Sequence, residues 1–127
     1  MKENGKRIRC VILEDDYYPA IEVESIVRKS YPEYEILNRF ENGAQLADFI
    51  QKENADLIIS DVILADGSVL DVFREHEIKT PVIFISAQEK HREEGRRFNM
   101  IGYRSGNAEP DIPCRNLRYP GECHQLQ

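Results

Sequence analysis

Residues 56–68, Asp-Leu-Ile-Ile-Ser-Asp-Val-Ile-Leu-Ala-Asp-Gly-Ser, decide the fold of this chain. The segment begins with a short apolar run that ends at Asp61, and it closes with the turn-forming pair Asp66-Gly67. A brief apolar run bounded by polar residues is typical of a strand buried on both faces of a parallel sheet. The segment therefore predicts a buried strand that carries a carboxylate at its carboxyl end.

Comparable apolar runs flank this segment, and apolar residues recur at helical spacing between them. The predicted strands are 7–13, 34–40, 56–60 and 82–86, and the predicted helices are 17–29, 44–51 and 69–76. Strands that alternate with helices are the signature of βαβ units around a parallel sheet. We therefore predict an α/β fold, an open doubly wound sheet with helices on both faces.

The size, charge and hydropathy of the chain exclude some classes of protein. With 127 residues the chain has room for one domain, and its net charge of −6 argues against direct nucleic-acid binding, which requires basic residues. No apolar run approaches the roughly 20 residues of a membrane helix, so we expect a cytoplasmic protein. Cys10 lies in a predicted strand, whereas Cys114 and Cys123 are too far apart for the usual zinc-binding pair.

Polar side chains follow three of the predicted strands at one edge of the sheet. Glu14 and Asp15 follow the first strand, Asp61 the third and Ser86 the fourth. Ligands bind at the carboxyl edge of such sheets. Clustered carboxylates suit Mg²⁺, and a carboxylate beside the metal can attack phosphorus. Asp16 and Asp66 are expected only to cap helices, as acids after strands commonly do.

Three segments in this order resemble the signature segments of response-regulator receiver domains. They are 11–16 (Val-Ile-Leu-Glu-Asp-Asp), 56–68 and 81–87 (Pro-Val-Ile-Phe-Ile-Ser-Ala), within a resemblance that spans residues 7 to about 103. The resemblance implies a flavodoxin-like sheet of strand order 2-1-3-4-5. It also implies a two-component phosphorelay protein, not a turnover enzyme, that accepts a phosphoryl group from a sensor histidine kinase.

The resemblance assigns a role to each matching residue of the acidic edge. Asp61 matches the phosphoacceptor. Glu14 and Asp15 match the acidic pair that binds Mg²⁺, Asp15 directly and Glu14 mainly through water. The backbone carbonyl of Ile63 matches the third protein ligand of the metal.

The resemblance also implies a switch that responds to phosphorylation. Ser86 matches the hydroxyl that hydrogen-bonds the phosphoryl group, and Ala87 matches the small residue beside it. Tyr103 matches the switch aromatic. However, Gly106 stands where the family has a lysine, and no lysine follows Lys90, so a charge-assisted contact is lost. Arg104 does not replace that lysine, because side chains alternate faces along a strand.

Residues 104–127 show neither helical nor strand periodicity, so we predict a receiver domain over 1–103 and an irregular tail over 104–127, without an output domain. The last strand and the last helix are expected to be degraded. The abrupt change suggests a frameshift or an altered end, which sequencing of the source DNA would test. Apolar surface left uncovered on the sheet should lower stability or promote dimerisation.

Two other functions remain open. A pseudo-receiver would bind a partner protein without being phosphorylated, as the missing lysine favours. A Mg²⁺-dependent phosphatase would use Asp61 as nucleophile but needs a second acid where Ile63 stands. Besides the kinase, a downstream protein or a second copy of the chain is a possible partner. His76, His91 and His124 are interpreted as surface residues, since none of them follows a strand beside the acids.

Overall fold

The computed structural model describes residues 7–86, Gln88 and 90–105. Its strands are β1 (Ile8–Leu13), β2 (Tyr34–Phe40), β3 (Leu57–Asp61), β4 (Ile63–Leu64), β5 (Gly67–Ser68), β6 (Val82–Ser86) and β7 (Met100–Ser105). Its helices are α1 (Tyr17–Ser30), α2 (Gly43–Lys52), α3 (Val69–Glu75) and α4 (His91–Gly95). The order of elements confirms the predicted alternation of strands and helices.

Five strands form a parallel sheet in the order β2-β1-β3-β6-β7, while β4 and β5 pair separately as a small antiparallel ladder. With that ladder set aside, this is the predicted order 2-1-3-4-5 of a flavodoxin-like, doubly wound fold. The central strands are almost wholly buried because helices cover both faces of a parallel sheet.

The register of the sheet brings three strand ends level with one another. Leu13 of β1 pairs with Ser60 of β3, so the next residue, Glu14, lies level with Asp61. Asp61 in turn pairs with Ile85 of β6, so Ser86 lies one residue beyond it. The strand ends that the sequence singled out therefore meet at one edge.

Alternating side chains of the strands divide the core into two clusters. The larger one packs under α2 and α3 and includes Val11, Leu13, Leu46, Phe49, Ile58, Leu70, Phe73, Phe84 and Tyr103. The smaller one packs under α1 and includes Cys10, Ile12, Val27, Leu57, Ile59, Ile83 and Ile101. Cys10 is a buried core residue, as predicted from its place in an apolar strand.

The expectation of a degraded last strand was wrong. Strand β7 pairs with β6 from Met100 through Ser105 and passes the predicted boundary at 103 by two residues. It forms because Met100, Ile101 and Tyr103 are buried while its backbone completes the hydrogen bonding of β6. The remainder of the predicted tail, 106–127, with the expected last helix, lies outside the described residues.

Helix α4 has only five residues, and a close approach at Gly95 holds it against the sheet. A Cβ added to Gly95 would lie 2.8 Å from Met100 Sδ and 2.9 Å from Phe84 Cδ2. The helix can therefore sit directly on β6 and β7 only because this position has no side chain. This contact takes the place of the apolar helix face that the charged sequence lacks.

The α1 side of the sheet carries an apolar groove. It is lined by side chains of α1 and of the strands beneath, among them Ile26, Val27, Ile83, Ile85 and Arg104. Among the described residues, α1 is the one helix that packs on this face. Whether this surface lowers stability or promotes dimerisation stays a prediction.

Within the described part of the chain, no helix is both long and apolar enough to cross a membrane.

Candidate functional site

Four carboxylates, which we call the acid cluster, gather at the carboxyl edge of the sheet: Glu14, Asp15, Asp16 and Asp61. Ligand atoms of Glu14, Asp15 and Asp16 lie within 4.8 Å of one another. Glu14 is buried, whereas Asp15 and Asp16 are exposed. The backbone N–H of Asp16 donates to Glu14 Oε2 at 3.0 Å, which fixes the buried carboxyl at the turn into α1.

Asp16 differs from its predicted role. It is the N-cap residue of α1, but in the described structure its side chain accepts no capping hydrogen bond. Its carboxylate instead adds charge to the acid cluster and contributes to raising the pKa of Asp61. A run of three acids before a helix does not reveal which of them turns toward the strand ends.

Asp66 does cap a helix, as predicted, although the helix precedes it in the chain. Its Oδ1 accepts from the Gly43 N–H at 2.9 Å and its Oδ2 from the Ala44 N–H at 3.2 Å. These N–H groups belong to the first turn of α2, where helix donors lack partners within the helix. Asp66 thereby ties the loop after Asp61 to α2.

Asp61 lies at the end of β3, where its carboxylate is partly buried. The backbone N–H groups of Val62 and Ile63 donate to it and favour its ionised form. Burial outweighs them and, together with the negative charge of Asp15, raises the pKa of Asp61 to about 6. The carboxylate is therefore oriented by the backbone yet poorly compensated in charge.

The ionised form of Glu14 is destabilised in the same way as that of Asp61. Burial, reinforced by the charges of Asp61 and Asp15, raises the pKa of Glu14 to about 7. A bound cation would relieve this repulsion and lower both pKa values. The cluster offers only oxygen donors, which are the donors that Mg²⁺ prefers, so its chemistry fits the predicted metal.

Ile63 is held close to Asp61 by the small ladder that follows β3. It pairs with Ser68 in β4–β5, and the Val69 N–H donates to the Val62 carbonyl at 2.8 Å. The Ile63 side chain is 52% exposed, although the residue is aliphatic. Its backbone therefore has a defined path directly after the acceptor strand, at the position that the sequence predicted for a carbonyl ligand.

The second part of the site surrounds Ser86 and is built from hydrogen bonds. We call its hydrogen bonds the switch contacts; they join Ser86, Gln88, His91 and Tyr103. Ser86 Oγ accepts from the Gln88 N–H at 3.0 Å, and the Tyr103 hydroxyl donates to the Gln88 carbonyl at 2.6 Å. Ser86 and Tyr103 are both buried. Two residues of this region, Ala87 and Gly106, lie outside the described residues.

The interpretation of His91 as a surface residue was wrong. His91 is only 8% exposed, and its Nδ1 lies 2.6 Å from Ser86 Oγ. The sequence does not reveal this contact, because four residues separate the end of β6 at Ser86 from the start of a short helix at His91. His76 is partly exposed, while His124 lies outside the described residues.

Comparison by sequence finds no relative: no protein-family model matches the chain, and no curated protein matches it.

Comparison by structure finds response regulators. The receiver domain of the response regulator PhyR from Erythrobacter litoralis is 24% identical, with a TM-score of 0.67, and the match covers 84% of each chain. The response regulatory domain of mrkE from Klebsiella pneumoniae is 20% identical, with a TM-score of 0.68, over 80% of this chain and 84% of that one.

A mutant of the anti-anti-sigma factor PhyR from Bartonella quintana is 20% identical, with a TM-score of 0.67. The match covers 82% of this chain but 44% of that protein, so this chain spans less than half of it. The chain therefore has the fold of a response-regulator receiver domain.

Proposed function

We propose that the chain is the phosphoacceptor receiver of a two-component phosphorelay, with Asp61 as the acceptor. The observation that carries this proposal is the acid cluster, in which burial and neighbouring charge raise the pKa values of Glu14 and Asp61. Strongly perturbed acids at a strand edge are typical of functional sites. A structural role would not require this repulsion at the solvent-facing edge of the sheet.

In the proposed reaction, an Asp61 carboxylate oxygen attacks the phosphorus of a phosphohistidine on a sensor histidine kinase. The new O–P bond forms as the N–P bond breaks, and the leaving imidazole keeps the electron pair. With a pKa of about 6, Asp61 is mostly ionised at neutral pH and therefore nucleophilic. The N–H groups of Val62 and Ile63 orient the carboxylate for attack.

Mg²⁺ bound at this edge would neutralise the charge on the transferring phosphoryl group. Glu14, Asp15 and Asp61, with the Ile63 carbonyl, are the groups that we propose to hold it. In this reading the chain is a signalling protein and not a turnover enzyme. A protein partner downstream is part of the proposal, since PhyR of Bartonella quintana is described as an anti-anti-sigma factor.

A pseudo-receiver is the second candidate, and two observations favour it. The family's lysine is replaced by Gly106, and the Ser86 hydroxyl is already engaged by His91. A chain of this kind would bind its protein partner in a single state, without phosphoryl transfer.

Intact-mass measurement after incubation with Mg²⁺ and acetyl phosphate separates the two candidates. The proposed function predicts one phosphoryl adduct that is lost in Asp61→Asn and retained in Asp48→Asn, a control acid exposed on α2. The adduct should also be lost when Mg²⁺ is chelated. A folded protein that binds Mg²⁺ but forms no adduct would be a pseudo-receiver.

A further inference from the structure

The contact between His91 and Ser86 is one of the two shortest of the switch contacts. The other, between Tyr103 and Gln88, has the same length. Nδ1 of His91 lies 2.6 Å from Ser86 Oγ, and both side chains are buried. Ser86 Oγ also accepts from the Gln88 N–H at 3.0 Å. The hydroxyl that the resemblance assigns to the phosphoryl group is thus held by two residues that follow it in the chain, Gln88 and His91.

The Ser86 hydroxyl has a single proton, so His91 and a phosphoryl oxygen would compete for it. A serine hydroxyl has one proton to donate and two lone pairs that accept. The Gln88 N–H occupies one lone pair, while a neutral imidazole can accept the proton at Nδ1 when its own proton is on Nε2. A phosphoryl oxygen only accepts, so it needs the same Ser86 proton.

We propose that His91 is a latch on Ser86: in the unphosphorylated chain Ser86 donates to His91 Nδ1, and this bond must break before Ser86 can donate to a phosphoryl group on Asp61. The inference rests on the proposed function and deepens it. His91 is therefore a positioning residue, which acts on the phosphorylated state only through Ser86. Its effect is to oppose activation until the phosphoryl group outcompetes the imidazole.

Packing of α4 keeps the latch closed. The absent side chain of Gly95 lets α4 rest on Phe84 and Met100, which fixes the first residue of the helix, His91, beside the end of β6. The Arg92 guanidinium lies 4.8 Å from the centre of the Tyr103 ring. Both contacts hold α4, the helix that begins at His91.

Contact with a neighbouring helix adds a third anchor. Arg74 of α3 lies 3.6 Å from a Glu94 carboxylate oxygen of α4. This ion pair is partly exposed and therefore weak, so the close packing at Gly95 is the main contact that holds α4 in place. Removal of the latch should consequently free Ser86 without displacing the helix.

The hydrogen bond is tested first in the ligand-free protein. Long-range nitrogen–proton NMR spectra of the histidine rings, recorded above neutral pH, should show His91 with its proton on Nε2 and with Nδ1 as an acceptor. The Nδ1 signal should shift in Ser86→Ala. A proton on Nδ1 would leave the Ser86 proton free and would overturn the inference.

The competition is then tested with beryllofluoride and Mg²⁺, a phosphoryl mimic for aspartate. His91→Leu should lower the apparent dissociation constant of beryllofluoride by about 3- to 10-fold, the value of one neutral hydrogen bond. His91→Asn places an amide oxygen near the position of Nδ1 and should restore much of the wild-type value. His76→Leu, at the end of α3, is the control and should change nothing.

A double mutant separates a latch from a structural role. In the Ser86→Ala background, His91→Leu should no longer change beryllofluoride affinity, because the latch acts only through the hydroxyl. An equal gain with and without Ser86 would overturn the inference, and so would an unchanged affinity in His91→Leu. Either result leaves the proposed function intact, whereas a wild-type protein that binds no beryllofluoride and forms no phosphoryl adduct overturns both.

Discussion

The acid cluster and the switch contacts lie at the same edge of the sheet, yet repulsion between charges dominates one and hydrogen bonding the other. The acid cluster is a set of like charges whose burial raises the pKa values of Glu14 and Asp61. The switch contacts are hydrogen bonds, in which the buried residues Ser86, His91 and Tyr103 are paired within the protein. One half of the site costs stability, and the other half contributes to it.

This difference suggests that the acid cluster and the switch contacts have different roles. A set of charges that repel one another favours the binding of a cation and a phosphoryl group. A closed set of hydrogen bonds resists movement, so it defines a resting state from which ligand binding can shift the protein. The comparison predicts that substitutions in the two halves change stability in opposite directions.

The largest effect on stability is expected from Phe84, a core residue of β6, the strand that ends at Ser86. Phe84 is fully buried and packs edge-on against Phe73, with ring centroids 5.5 Å apart. Phe84→Ala should lower the free energy of unfolding by about 3 to 5 kcal/mol, as loss of a buried aromatic ring does. Urea denaturation measures this, with Tyr18→Ala, at an 82% exposed side chain, as control.

If Phe84→Ala does not fold, the smaller change Phe84→Leu allows the same test, with a loss of about 1 to 2 kcal/mol. A loss no greater than that of the Tyr18 control would show that the switch contacts do not depend on this packing.

The next effect has the opposite sign and concerns the acid cluster without metal. Since the pKa of Asp61 is raised to about 6, the folded state holds this proton more tightly than the unfolded chain. Ionisation of Asp61 therefore destabilises the fold as pH rises from about 4 to about 6, and that of Glu14 extends the loss toward 7.

Asp61→Asn should accordingly raise the free energy of unfolding near neutral pH by about 1 to 3 kcal/mol in a chelator, and should flatten its pH dependence. Thermal melts across this pH range measure both effects. Mg²⁺ should stabilise the wild-type protein more than the variant. A variant that is less stable than wild type at neutral pH would contradict the proposed charge repulsion.

A smaller loss is expected from Asp66, an acid that lies near the site but serves the fold. Asp66→Ala leaves the Gly43 and Ala44 N–H groups of α2 without their acceptor and should cost about 0.5 to 2 kcal/mol. Asp66→Asn should retain only part of that stability, because its amide has one acceptor oxygen for the two N–H groups. Phosphoryl uptake should persist in both variants, and its disappearance would place Asp66 in the acid cluster.

The smallest effect is expected from one hydrogen bond of the switch contacts. Tyr103→Phe removes the hydroxyl that donates to the Gln88 carbonyl while the ring stays in place. The free energy of unfolding should fall by about 0.5 to 1.5 kcal/mol. Tyr18→Phe, at an exposed ring, should remain within about 0.5 kcal/mol of wild type. Equal values for the two variants would mean that this bond adds no stability.

The sequence predicted most of the fold because buried parallel strands are short apolar runs with clear ends. The predicted strand 34–40 coincides with β2, and the prediction for 82–86 coincides with β6. The sequence did not predict β7 as an intact strand, because Gly102 and Arg104 interrupt its apolar pattern. Pairing with β6 stabilises this strand. Pairing partners lie outside the local window, so local pattern alone cannot reveal such a strand.

The candidate site was predictable where it depends on strand ends and not where it depends on packing. Glu14, Asp15 and Asp61 stand directly after apolar runs, and parallel register brings those positions level. The part played by Asp16 depends on how the chain turns into α1, and the contact of His91 depends on how closely α4 approaches β6. Both are set by three-dimensional distances that have no fixed spacing in the sequence.

By itself, then, the sequence determined the alternating α/β architecture, the strand order that its resemblance implied, and the acids at the sheet edge. These follow from apolar periodicity and from the direction of parallel strands. Only the tertiary structure decided that Asp61 and Glu14 are poorly compensated anions and that His91 occupies the Ser86 hydroxyl. Burial and hydrogen bonding between distant elements determine these properties, and both exist only after the chain has packed.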